Sequence, residues 1–266
     1  MFGSNRQLWQ PQRERFFLAT ILLDPLTDDR QGEEHPRLPS VTHALIALMD
    51  TFRFPTTWAV SDPAFSAATP RVLRSKVPHE LAISGDPSWV GPTAGRTRFA
   101  RELTRRVAQA RQAGLAVTTF VPRVASVERH IDLIVKQQIT AVAGPNDSKN
   151  HCQAHAPRLM HYGIWEFPVH AQFPSQTAWF TSGGWTIWRC VCRAVRDSAT
   201  FHLVIDAPTL AKHGKRAEKA ISRLMARVAS LRDRGQLVAA TLRSAATQLA
   251  AVPSRSPQRS ILRPAA

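Results

Sequence analysis

Three aspartates stand at the ends of short strand-like runs: Asp24 closes 16–23, Asp86 follows 80–84 and Gly85, and Asp206 closes 201–205. If those runs are parallel strands, the three carboxylates share one rim. There they would suit a hard cation or acid–base work. Asp24 and Asp86 each precede a proline, which is also how ordinary turns begin. Arg123 ends a fourth run and is placed to bind a carboxylate or a substrate carbonyl. Trp89 and Trp179 flank the same region and are candidates for stacking on sugar, whereas Trp165 and Trp188 read as core.

Other spacings are weaker. His151, Cys152 and His155 imitate a metal site, but an i,i+4 histidine pair chelates only on a helix, and Pro145, Asn146 and Pro157 mark a loop. Ser84, His79 and Asp86 make a triad on paper without the strand-to-helix elbow that a serine nucleophile needs. Gly183-Gly184 lacks the lysine of a phosphate loop.

These residues need a scaffold, and the chain can build one. Of 266 residues 44% are hydrophobic and 20% charged, which excludes global disorder. Lys and Arg number 35 against 19 Asp and Glu, a net charge of +16 that excludes an acidic solvating protein and admits polyanions as partners. The cations are scattered, so charge alone does not argue for nucleic acid. Cys152, Cys190 and Cys192 are too few, and odd in number, for a disulfide framework, and the expectation is buried or half-buried thiols. The longest apolar run, 16–23, is shorter than the ~20 residues of a membrane span. Arg13 and Arg15 precede it as in a signal peptide, but Asp24-Pro25 stands where small cleavage-site residues belong. A cytoplasmic protein is expected.

Strands are expected at 16–24, 56–60, 80–84, 115–121, 139–143, 164–169, 201–206 and 237–241. Helical spacing falls between them. Ser40 is the expected N-cap of a helix buried along Val41, Ala44, Leu45, Leu48 and Met49. Phe99, Leu103, Val107 and Ala110 line another, stopped by Gly114. Further helices are expected at 127–135, 185–195, 221–235 and from 242 to about 251. Strands alternating with helices at this rhythm imply parallel units in an α/β fold, and their number favours a (β/α) barrel over an open sheet. The expected organisation is an N-terminal arm (1–15), a barrel (16–252) and a disordered basic tail (253–266).

In a barrel the chemistry sits at the C-terminal ends of the strands. Read there in order, the chain resembles the polysaccharide deacetylase family, the NodB homology domain. The resemblance lies in MDTFRFPTTWAV (49–60), HELAISGDPSW (79–89), FHLVIDAPTL (201–210) and LRDRGQLVAAT (231–241). It implies a seven-stranded, distorted TIM-like barrel and the metal-assisted removal of acetyl groups from N-acetylated sugars. In that chemistry one Asp and two His hold a zinc-like ion, a second Asp is the base and a late His is the acid.

Matched residue by residue, Asp24 stands at the family's base position. Pro25, Ser84 and Ser88 stand at the three metal-ligand positions, and Asp206 at the late His. Hydroxyls and proline do not replace imidazoles around zinc. Asp28-Asp29 would restore one ligand and no histidine pair. The expectation is a deacetylase-like protein that binds an N-acetylated saccharide, with no cofactor and with no family-type hydrolysis. An active hydrolase with a remodelled site at Asp24, Asp86 and Asp206, carrying a divalent metal, is the rival reading. A basic module for a polyanion such as nucleic acid is a third.

Overall fold

The computed structural model describes residues 15–25, 35–91, 93–123, 126–144, 156–174 and 183–251. The expected tail, all of the expected arm but Arg15, Asp28-Asp29, the 151–155 histidines and Trp179 lie outside them.

β1 (Phe16–Leu22) reads as an unbroken apolar run because both of its faces are covered. Phe17, Ala19 and Ile21 face an outer helical layer, while Phe16, Leu18 and Leu22 face the barrel interior. The interior is narrow: Ala59, Ala82, Ala141 and Ala143 line it, and small side chains let the strands curl closely round Phe16, Phe167 and Val204.

β2 (Thr57–Val60), β3 (Glu80–Gly85), β4 (Thr119–Pro122) and β5 (Ala141–Ala143) follow β1 side by side, all parallel. β6 (Arg158–Leu159) is a short antiparallel edge on β7 (Trp165–Phe167), which itself pairs with β5. β8 (Ala171–Phe173) pairs with β9 (Phe201–Asp206), and β9 returns to β1. The strand expected at 164–169 is cut to 165–167 and joins β5; residues 168–170 step across, and β8, for which no strand was expected, joins β9. With β7 and β8 counted as one stave, β1, β2, β3, β4, β5, β7–β8 and β9 make seven, a curled (β/α) barrel.

The helices form the outer layer. α1 (Leu38–Thr51) packs on α7 (Ala207–His213), and α6 (Gly183–Arg196) packs on α8 (Lys215–Asp233). The short α2 (Thr69–Arg74) adjoins β3. α3 (Pro87–Val90), α4 (Arg96–Gln112) and α5 (Ile131–Lys136) cover β3 and β4 through a second cluster centred on Trp89, Phe99 and Phe120. β10 (Val238–Ala240) pairs with the start of β1, and α9 (Leu242–Ala251) closes that end. There Glu80 is wholly buried. It accepts from the hydroxyls of Thr57 (3.1 Å) and Thr119 and from the Arg243 amide (3.0 Å). The floor of the barrel is thus polar but satisfied.

Some boundaries differ from the sequence expectations. α1 begins at Leu38 with proline in its first turn, and Ser40 lies inside it, its hydroxyl donating to the Arg37 carbonyl (2.7 Å). β4 begins at Thr119 rather than at 115, and residues 115–118, which follow the left-handed Gly114 (φ 74°), lie outside the strand. Cys190 is disulfide-bonded, against the thiol expectation, and Cys192 is a half-buried free thiol. Among the described residues no helix is long and apolar enough to cross a membrane.

Candidate functional site

Because the staves are parallel, their C-terminal ends share a rim, and the expected site residues emerge there. After β1 the chain continues through Leu23 to Asp24, whose carboxylate accepts from the Ser61 amide just past β2. Burial raises the pKa of this carboxyl. The Ser61 hydrogen bonds and the charges of Arg123 and Arg106 oppose the rise.

At the end of β3, Gly85 is required by space: a Cβ there would sit 2.7 Å from both the Phe120 ring and Val90. The close approach lets the chain turn straight into α3. Asp86 caps that turn by accepting from the Ser88 amide (2.8 Å).

Arg123 follows β4. Its own amide bonds the Gly85 carbonyl (3.2 Å), and its guanidinium donates to the Asp24 carbonyl and lies 3.5 Å from the Asp206 carboxylate. The side chain is 5% exposed. Burial lowers its pKa, while the charges of Asp206, Asp24 and Asp86 all pull it back up. Arginine remains cationic in such surroundings. The structure thus brings the three expected carboxylates together around a guanidinium.

Asp206 ends β9 and caps α7 through the Thr209 amide (3.0 Å); Gln172 of β8 donates to it at 3.4 Å. His202, Val204 and Asp206 alternate along the inward face of β9, so the polar rim stands above Val204. Together Arg123, Gln172, Asp206 and Thr209 form the polar wall of a cavity of about 200 Å³. Leu22, Val121, Ala143, Val169 and Val204 form its apolar part. Donors, an acceptor and an apolar floor within one small space suit a compact polar group carrying a methyl.

Several expected residues fall elsewhere. Trp89 is not a rim residue: it is 2% exposed, wedged between Phe99 and Phe120, with Arg106 stacked 5.2 Å from its ring centre. Its faces are taken by the core, so it offers nothing to a sugar. His79 precedes β3 and pairs with Asp50 (3.3 Å). Ser84 lies near the other end of the strand, five residues and about 17 Å away at ~3.3 Å per residue, and Asp86 lies beyond it, which dissolves the paper triad.

Gln172 and Thr209 were not anticipated. Gln172 belongs to the second half of the split stave, and Thr209 is drawn in by the Asp206 cap. Neither carries a motif that would mark it in the sequence.

The metal that the family resemblance implies does not fit these residues. Pro25 is exposed and has no donor atom, the Ser84 hydroxyl is buried and the Ser88 side chain is exposed. Among the described residues no three His, Cys, Asp or Glu side chains are grouped to hold an ion. Beside those positions the acids already face a fixed cation, the Arg123 guanidinium.

No family model matches the chain, and neither does any curated protein. Solved structures do match in fold. A Mycobacterium smegmatis protein assigned as a polysaccharide deacetylase superposes with a TM-score of 0.65 at 17% identity, over 97% of each chain. A Pseudomonas aeruginosa protein with the same assignment gives 0.58 at 10%, over 89% of this chain and 91% of that one. An allantoinase gives 0.62 at 10%, over 92% and 93%. At these identities the likeness establishes the polysaccharide deacetylase type of (β/α) barrel and nothing about the reaction.

Proposed function

We propose that this barrel binds an N-acetylated saccharide at its rim without the metal-dependent hydrolysis of the deacetylases it resembles. The observation that carries the reading is the buried Arg123 guanidinium among Asp24, Asp86 and Asp206, beside positions held by Pro25, Ser84 and Ser88. An acetamido group matches the cavity chemically. Its methyl meets Leu22 and Val204, its carbonyl accepts from Arg123 or Gln172, and its N–H donates to Asp206. The fold neighbours assigned as polysaccharide deacetylases support a saccharide as the ligand class.

Titration calorimetry with N-acetylglucosamine oligomers, paired with an acetate-release assay, tests this. Saturable binding unchanged by a chelator, with no acetate released with or without added zinc, is the expected result. Acetate release that depends on metal, or no binding at all, overturns it.

A second reading, amide hydrolysis by carboxylates, is favoured by one observation. Burial raises the pKa of Asp24, the direction a general acid or base needs near neutral pH. Under that reading Asp24→Asn abolishes acetate release while leaving binding intact.

A further inference from the structure

In the outer layer α6 and α8 pack together, and their exposed positions carry rows of cations. Arg189 and Arg193 are exposed on α6, and Lys215, Lys219, Arg223 and Arg227 on α8, each four residues from the next on its helix. Among the described residues none of the six forms an ion pair. The acids on the two helices do not relieve them: Glu218 is bound to Arg37 (2.7 Å), and Asp197 and Asp233 stand at the C-terminal ends. Like charges four apart on a helix repel, so both helices would gain from an external anion.

Aromatic rings interleave with the charges. The Arg227 guanidinium lies 5.6 Å from the Trp185 ring centre and 5.7 Å from that of Trp188. Trp185 is 52% exposed, although burying an indole would stabilise the fold. The packed pair therefore presents cations about 6 Å apart along each helix, at four residues of ~1.5 Å rise, beside a half-exposed indole that Arg227 overlies.

We propose that the α6–α8 face docks single-stranded nucleic acid, with phosphates along the cation rows and a base stacked on Trp185. Guanidinium rows combined with an aromatic platform bind single strands with little sequence preference. A duplex keeps its bases stacked inside and leaves Trp185 unused. An acidic polysaccharide offers charge without a π-face.

Fluorescence anisotropy of labelled oligothymidylate with the full chain tests the proposal, with circular dichroism confirming that each variant is folded. Binding should weaken about tenfold or more between ~50 and ~200 mM salt. The double variant R223E/R227E should lose at least about tenfold in affinity, and W185A about fivefold or more, with W185F restoring most of it. Three results would overturn it: no binding at low salt; full affinity in R223E/R227E, which would place binding elsewhere on the chain; or W185A binding unchanged while a polyuronate competes as well as DNA.

Discussion

The Arg123 guanidinium sits 3.5 Å from the Asp206 carboxylate, and both side chains are almost wholly buried at the end of two staves that are not neighbours in the sheet. A pair of this kind does not by itself stabilise a fold much, because desolvation offsets the attraction. Removing one partner is different. Arg123→Ala leaves Asp206 buried without its cation and should cost about 3 kcal/mol in urea denaturation. The double variant Arg123→Met with Asp206→Asn should recover much of that loss. Equal losses in the single and double variants would show that the two side chains do not act as a pair.

His202 fixes a second measurable property. It is wholly buried on the inward face of β9, bonded to the Thr20 hydroxyl (2.9 Å) and the Phe167 carbonyl (3.2 Å). Burial is the main cause that lowers its pKa from 6.5 to about 4. The unfolded chain then binds the proton more readily than the native one. Its contribution is complete above pH ~6.5 and is lost as pH falls toward 4, roughly 3 kcal/mol in all. Glu80 works in the opposite sense: burial raises its pKa, so its contribution is present at low pH and fades as pH rises above 4.5. Urea midpoints at several pH values for wild type and His202→Gln separate the two. The variant should lose less stability on acidification, and an unchanged slope would remove His202 from the account.

Gly85 ties backbone space to the rim. Gly85→Ala drives a methyl into Phe120 and Val90 and should cost about 1–3 kcal/mol. It should also weaken saccharide binding, since Arg123 hangs from the Gly85 carbonyl. Melting temperature and calorimetry together check both effects.

Trp89 distinguishes core from ligand contact. Trp89→Ala should destabilise the chain by about 3–5 kcal/mol. Trp89→Phe should be milder and leave saccharide affinity within about twofold, as expected of a ring that never meets the ligand. A selective loss of affinity in a stable Trp89→Phe would restore it to the rim.

Much of the architecture was legible along the chain because burial imposes a period. β1 reads as a strand from its long apolar run, β9 from a short β-rich run closed by Asp206-Ala207-Pro208, and α4 from Phe99, Leu103, Val107 and Ala110. The order of these elements implied a barrel, and the proline and glycine stops located Asp24, Asp86, Arg123 and Asp206 at strand ends. β8 was not legible: three residues of extended chain leave too short a pattern, and only pairing with β9 makes them a strand. Trp89 was misplaced for a related reason, since a tryptophan after a turn looks the same whether its ring points to solvent or to Phe99 and Phe120.

What the sequence determined by itself was local: alternation, capping and turn chemistry act between residues a few positions apart, and so they set the elements and the identity of the side chains at each strand end. Tertiary structure alone decided which of those side chains meet. Arg123 and Asp206 are 83 residues apart, and only the curl of the sheet and the step at 168–170 bring them, with Gln172, around one cavity. Contact across that separation depends on how the staves close on one another, a property of the whole assembly that no single segment encodes.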